Sequence, residues 1–525
     1  MMRRKWRIRF ILFIVTFALV FGAGFSRSIS RDEQTATGVG DKQTYSVTIS
    51  MVVDNSKRSF PDGMDINHNP YLEYIKRNTG VDIQLTAPPF NGYQEKLNVI
   101  MASGNQPDLI NTGDPAWVSK YVAEQALMPL DDVLAEYGQD LLAIFPEEAW
   151  KAVTFNGHIY AIPSLTEVAG NEIIFARKDW LDKLQLAPPT TLDEYYSVMR
   201  AFAYDDPDGD GLRDTWGLTI MPAGLARTAP FFGAFGVPRS VNQITEWKEK
   251  NGELIYSGIL PETKQALAFL AKLYGDGILD REFILNKNSS FEDKIINGQV
   301  GLFSGNWFDT RGPILANKQK DPSAEWIRLD YPIGLNGQSG TAERDLIQSY
   351  SVVPAGSSHA KEVIKVLNFI AGKGYRDLKL GFEGEVWTRV NGVMATNFTE
   401  HEKHIYRGTL HALADPNDEE VRKERLDSLG LQYELNDNVE FVLSHVLRSD
   451  FQGAPTPSMG KYGAKLLKLE EETFSKIIMG ISSPSEFEEF AKQWIRDGGW
   501  EISNEVNEWY RDQQERDRQE AERKS

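Results

Sequence analysis

The chain contains no cysteine. Disulfides, thiol nucleophiles and cysteine-ligated metals are therefore excluded, and so is a lipid anchor on an N-terminal cysteine. In an exported chain, the absence of cysteine would suit a bacterial exoprotein better than a disulfide-stapled domain. Histidines are few, seven in 525 residues. Two of them, His401 and His404, have the spacing of a shared helical face, although a pair of solvated histidines in a polar segment is the expected reading. Also missing are the phosphate-cradling Walker loop, the dinucleotide glycine triplet, the Gly-x-Ser-x-Gly elbow and the His-Glu-x-x-His zinc helix. Basic residues are in deficit. The first thirty residues carry six of them and no acidic group, which leaves 51 basic against 75 acidic residues, or -24, in the remainder. That balance argues against nucleic acid as a partner, because phosphate binding needs a basic face. No internal repeat occurs at a solenoid period.

With 41% hydrophobic and 25% charged residues, the chain is globular and long enough for two or three domain-sized units. Its start has five basic residues between Arg3 and Arg9, an apolar run from Phe10 to Phe21, and the small residues Gly22, Ala23 and Gly24. Residues 1–26 read as a secretory signal or, if uncleaved, an N-terminal anchor, and 27–44 as a polar linker. The apolar run is short for a membrane span. From Tyr45 onward, β-branched runs near 45–53, 81–85 and 108–111 alternate with helical patterns at 69–78 and 93–102. This order predicts a parallel α/β sheet, with ligands held beyond the carboxyl ends of the strands, where Asn111 to Trp117 lie. Further strands are predicted at 159–162, 172–176, 300–303 and 350–354. Further helices are predicted at 177–184, 191–203, 262–273 and 360–371. Ser483-Pro484 reads as a helix start, with Pro at the first helical position. The last third is largely helical, and 512–525 reads as a charged, frayed tail.

Two patterns carry chemistry. Asp206, Asp208, Asp210 and Asp214 occupy positions 1, 3, 5 and 9 of an EF-hand-like loop, Gly211 stands at position 6, and Leu212 offers its carbonyl at position 7. Alternate carboxylates in a tight loop can point inward at a Ca²⁺ ion, and four of them would repel one another without a cation. Position 12 is Gly217 rather than glutamate, which points to a static site rather than a calcium switch. The competing reading is a solvated acidic turn. The second pattern is aromatic. Trp117, Trp216, Trp307 and Trp387 sit beside Gly, Asn or Asp in or next to predicted loops. A Trp ring stacks on the C–H face of a sugar while neighbouring polar groups bond its hydroxyls.

Four segments together resemble the family 1 extracellular solute-binding proteins: Arg177-Lys-Asp-Trp-Leu-Asp-Lys-Leu, Asp206-Pro-Asp-Gly-Asp-Gly, Gly381-Phe-Glu-Gly-Glu-Val-Trp and Gly498-Gly-Trp-Glu-Ile-Ser-Asn-Glu-Val-Asn. The long Gram-positive oligosaccharide and aldouronate subgroup is the nearest in pattern, and the alginate-binding proteins are similar. The resemblance implies a type II periplasmic-binding-protein-like fold. That fold has two α/β lobes, a hinge with an interlobe cleft, and a helix-rich C-terminal part. The expected lobes are 45–168 with 345–395, and 169–344 with 396–511. It implies a monomer outside the cell or at its surface, an oligosaccharide ligand and an ABC permease as partner. It also implies a structural calcium at Asp206, Asp208, Asp210, the Leu212 carbonyl and Asp214. Thr215 stands where the alginate-binding relatives have Glu. Trp307 and Trp387 fall where relatives present stacking residues, and Arg177 is expected where the chain crosses between lobes, to meet a uronate carboxylate or form a structural salt bridge. The competing classes are an extracellular carbohydrate-active enzyme and a sugar sensor for a membrane receptor. Uronates, pectin fragments and neutral xylo-oligosaccharides all fit the sequence.

Overall fold

The protein is described from a computed structural model that covers residues 47–54, 58–89, 91–170, 172–239 and 243–524. The expected signal or anchor segment 1–26 and the linker 27–44 lie outside these residues.

Two sheets organise two lobes. In the first, Val81–Thr86, Val47–Val52 and Leu109–Thr112 are adjacent and parallel, followed by Ile347–Val352 and Ala161–Leu165. The strand–helix–strand order explains this part. Helix Pro70–Thr79 starts on Asn69, whose side chain accepts the Leu72 N–H, and stops at Gly80 in the left-handed region. The second sheet has the order Trp326–Leu329, Glu172–Arg177, Val300–Asn306, Trp216–Thr219. Its central strand Glu172–Arg177 is wholly buried, as a sheet covered by helices on both faces requires.

The chain passes from the first sheet to the second between Leu165 and Glu172, and returns between Leu329 and Ile347. The return segment carries Thr341–Ala342, which pairs with Val446–Leu447 and bridges from Glu343 to Gly170. These laterally bonded segments form the hinge.

Each lobe has its own apolar core. The first includes Ile49, Leu109, Ile162 and Val352, and extends to Tyr406, Leu410, Leu413 and Ala414. These four side chains lie beyond the expected first-lobe boundary at 395 and pack with the first sheet. The second lobe is built on Trp180, Phe231, Trp247 and Trp494, with the helices Pro457–Ile478 and Glu486–Trp494 packed against it. The cap of Glu486–Trp494 is Ser485, so the expected start at Pro484 is shifted. The charged tail is helical, continuing Trp500–Lys524. No helix among the described residues is long and apolar enough to cross a membrane.

Candidate binding cavity and acidic loop

A cavity of about 270 Å³ opens beside the hinge. The first sheet supplies Ser164 and Gln348, and the crossing segment supplies Glu167. Arg58, Lys379, Arg407 and Arg425 line it, with His401, His411 and Asp415. It lies beyond the carboxyl end of Ala161–Leu165, where an open α/β sheet places ligands. A smaller cavity of about 80 Å³ touches both lobes through Pro115, Tyr350 and Phe451, and its lining carries Arg344 between Glu343 and Asp345.

The larger cavity is electropositive. Burial, with the Arg407 and Arg425 charges, pushes the His401 imidazole down to about 4. Burial and Lys379 do the same to His411, also to about 4. Both rings are neutral at pH 7, so four cationic side chains face two carboxylates. Burial alone would raise Asp415, but Lys379 at 2.8 Å and His411 at 3.0 Å hold it well below the usual carboxylate range. For Glu167, burial is likewise outweighed by Arg425 and Lys379, and its carboxyl is lowered.

Arg407 differs from its neighbours. Its side chain is 4% exposed. It donates from Nε to the Lys379 carbonyl at 3.3 Å and from Nη1 to the His404 carbonyl at 2.8 Å, and Nη2 lies 3.3 Å from His401 Nδ1. Among the described residues no carboxylate pairs with it, and burial lowers its pKa. Arg425 donates from Nη2 to Glu167 Oε1 at 2.5 Å, while its buried Nε–H has no partner. A buried guanidinium without a counter-charge costs free energy that an anion bound in the cavity offsets.

Three of the four residues expected to touch sugar are occupied by the protein itself. Trp117 is 4% exposed in the first core, bonded from Nε1 to Asn98 Oδ1 at 3.0 Å and packed on Tyr121. Trp387 is 2% exposed, bonded to the Gly381 carbonyl at 2.7 Å, with Arg376 and Arg389 over its ring. Arg177 is 3% exposed, forks onto both oxygens of Asp179 at 2.8 and 2.6 Å, reaches Asp321 at 3.2 Å and lies over Trp180. It is a structural ion pair. It also sits at the far end of Glu172–Arg177, about 17 Å from the crossing at the usual rise per residue. Trp307 does follow the hinge end of Val300–Asn306, since Asn306 pairs with Glu172, but its ring is 8% exposed. The exposed aromatic there is its neighbour Phe308, at 45%.

The acidic loop follows helix Leu192–Tyr204 directly. The carboxylates of Asp206, Asp208 and Asp210 lie within 4.8 Å of one another. Gly209 and Gly211 donate their N–H groups to Asp206 Oδ1, and Leu212 donates to Asp210 Oδ1 at 2.7 Å. Gly211 holds the turn at φ +79. Burial and the Asp210 charge raise the Asp208 carboxyl. Convergent carboxylates braced by backbone N–H groups fit a hard divalent cation. Asp214 does not join the converging three. Position 12 has no room for a side chain, because a Cβ on Gly217 would overlap the Met199 carbonyl. The missing glutamate is thus a consequence of packing a strand against helix Leu192–Tyr204.

Residues 68–377 match the family model of the bacterial extracellular solute-binding proteins, and the chain belongs to that family. It is 24% identical over 97% of its length, and 99% of the relative's, to the polygalacturonan/rhamnogalacturonan-binding protein YtcQ of Bacillus subtilis. Its fold is that of the Streptococcus pneumoniae ABC-transporter substrate-binding protein FusA, solved as an EF-hand mutant with fructo-nystose (TM-score 0.70, 17% identity, covering 89% of this chain and 100% of that one). It is also the fold of the alginate-binding protein AlgQ2 solved without calcium ion (TM-score 0.67, 20% identity, 90% and 99%).

Proposed function

We propose that this chain is the extracellular binding component of a carbohydrate ABC importer, and that it captures an oligosaccharide bearing carboxylates. The observation that carries this reading is the hinge-side cavity with Arg407 buried and lacking a carboxylate partner. A uronate carboxylate is a planar acceptor that suits a guanidinium fork, and desolvation strengthens that contact. The chain's net negative charge repels anions at long range, but it is screened within about 8 Å at physiological salt, so the cavity decides at contact. Phe308, exposed at the hinge end of the second sheet, supplies an apolar face for a sugar ring. YtcQ is named for binding polygalacturonan and rhamnogalacturonan, and AlgQ2 for binding alginate, both of which support an acidic saccharide.

The work is a population shift. A ligand that touches both lobes favours the closed arrangement by the difference in its affinity for the two states. In this reading the first lobe comprises 45–168 and 345–414, the second 169–344 and 419–511. The closed, loaded monomer is handed to a membrane permease. Residues 1–26 direct the chain out of the cell or hold it at the surface.

The test is a thermal-melt screen of acidic and neutral oligosaccharides, followed by analysis of the recovered sugar. Acidic oligomers raise the melting midpoint and are recovered uncut. Cleavage would establish an enzyme instead, and a response only to neutral sugars would remove the role given to Arg407.

The loop at Asp206, Asp208 and Asp210 holds a structural Ca²⁺, with the Leu212 carbonyl as a further ligand and Asp214, outside the converging three, reaching the ion through a water. The AlgQ2 structure, described as lacking calcium, and the FusA EF-hand mutant support this. At a free concentration a hundredfold above Kd, calcium adds about 2.7 kcal/mol of stability. EDTA therefore lowers the melting midpoint, added Ca²⁺ restores it, and the Asp206→Asn/Asp208→Asn variant ignores both. An unchanged midpoint in EDTA, with no heat of Ca²⁺ binding, would leave the loop as an acidic turn.

A further inference from the structure

His404 was expected to be solvated, and it is not: the residue is 4% exposed. Its Nδ1 lies 2.9 Å from the Tyr71 hydroxyl, and the Tyr71 ring in turn stacks on Phe382 at 4.5 Å. Its other nitrogen, Nε2, makes no hydrogen bond. It faces two carboxylates instead, Glu385 Oε1 at 3.6 Å and Glu400 Oε2 at 4.0 Å. All three donor atoms lie within 4.8 Å of one another.

In neither tautomer does Nε2 make a hydrogen bond to protein among the described residues. If Nδ1 carries the proton and donates it to Tyr71, the Nε2 lone pair points at two carboxylates. If Tyr71 donates to Nδ1, the proton on Nε2 has no acceptor within bonding distance. A cation among the three atoms resolves both cases. The spacing is close to what such a cation needs, because donors about 2.0–2.1 Å from a tetrahedral zinc are about 3.4 Å apart.

The surroundings hold the donors in place. Lys403 Nζ holds Glu400 Oε1 at 2.8 Å and leaves Oε2 for the site. Asn397, which caps helix Phe398–Lys403, donates its N–H to the Val386 carbonyl at 2.9 Å and its side chain to the Glu385 carbonyl at 3.4 Å, fixing the Glu385 turn beside that helix. The Tyr71 hydroxyl on Nδ1 fixes the orientation of the His404 ring, the role that an outer hydrogen-bond partner plays for a metal-ligating histidine.

We propose that Glu385, Glu400 and His404 form a second metal site, distinct from the Asp206 loop, for a divalent transition ion of the zinc class. One imidazole with two carboxylates suits Zn²⁺ better than Ca²⁺, which prefers an all-oxygen shell. Glu385 is half-exposed, so the fourth position is open to water. The ion ties the turn at Glu385 to helix Phe398–Lys403 and, through Tyr71, to helix Pro70–Thr79. It also steadies the His404 carbonyl that accepts from Arg407, so zinc occupancy stiffens one wall of the cavity without entering it. The site itself does not depend on which sugar the cavity takes.

The test uses the full chain stripped of metal, titrated calorimetrically with ZnCl2, and with CoCl2 while visible absorption is followed. One Zn²⁺ binds per chain, and Co²⁺ gives the intense absorption of a four-coordinate ion. Glu385→Gln and Glu400→Gln each weaken Zn²⁺ by about tenfold or more, whereas Asp206→Asn/Asp208→Asn leaves it unchanged. Glu385 is half-exposed, so its variant folds even where a His404 variant does not. No saturable Zn²⁺ binding, or binding untouched by Glu385→Gln and Glu400→Gln, would overturn the site and leave a histidine packed beside two carboxylates.

Discussion

Replacing Arg407 with methionine weakens binding of an acidic trisaccharide such as trigalacturonate by roughly 30-fold to a few thousand-fold, equivalent to about 2–5 kcal/mol for the loss of one partner of a desolvated charge pair. The effect is large because Arg407 meets the ligand out of water and no neighbouring carboxylate competes for it. Lysine at this position restores charge but not the fork, so Arg407→Lys recovers only part of the affinity. The ligand-free protein should melt at nearly the same temperature in the methionine variant. Two bonds to carbonyls are lost, but so is the burden of an uncompensated buried charge. Calorimetry and melting of the same samples check both statements. A variant that loses stability rather than affinity would make Arg407 a structural brace.

Asp415 shows the opposite balance. It and Lys379 are both almost fully buried and are held at 2.8 Å, with Tyr375 Oη donating to Asp415 Oδ1 at 2.9 Å and His411 Nδ1 3.0 Å from its Oδ2. Asp415→Asn leaves the buried Lys379 ammonium with only the more distant Glu167 carboxylate, 3.6 Å away, and it lowers stability by about 1–3 kcal/mol in denaturant unfolding. Asp415→Leu with Lys379→Met removes both charges and regains much of that loss. The same cluster sets an acid profile. An unfolded histidine takes up its proton near 6.5, whereas folded His411 resists until about 4. The unfolded chain therefore binds more protons across that window, and stability falls as pH drops from about 6.5 to 4, by roughly 3 kcal/mol for His411 alone. Asp415, held far below its ordinary value, keeps its contribution through the same window and loses it only in stronger acid. A flat stability profile between pH 7 and 4.5 would contradict the buried, neutral state of His411.

The parallel first sheet was legible because its strands and helices alternate with clear periods and caps: Asn69 and Gly80 bracket one helix as their chemistry dictates. The acidic loop was legible because its ligands are consecutive in the chain. The cavity was not, since Arg58, Glu167, Lys379, Arg407 and Arg425 are brought together only by the crossings between sheets. Trp117 and Trp387 misled for a related reason. A Trp beside Gly or Asn in a loop looks the same in sequence whether its face is free or covered, and here Asn98 and Tyr121 occupy one ring while Arg376 and Arg389 cover the other. Of the two roles open to Arg177, the salt bridge is the one seen, for a reason of direction. It lies on the strand that leaves the hinge, but at the end remote from it, where Asp179 and Asp321 already satisfy it. His404 was hidden by its polar neighbours in sequence, although the rings of Tyr71 and Tyr406 pack against it.

The central claim is that a buried, electropositive cavity at the hinge selects a carboxylated saccharide. Its most direct test is a calorimetric titration of the calcium-loaded protein with trigalacturonate and with its fully methyl-esterified counterpart, at low and at physiological salt. The claim predicts saturable one-to-one binding of the acid, with the ester weaker by at least about tenfold at both salt concentrations, because a desolvated contact is screened little. Equal affinity for acid and ester, or binding of the acid that vanishes at physiological salt, would contradict it.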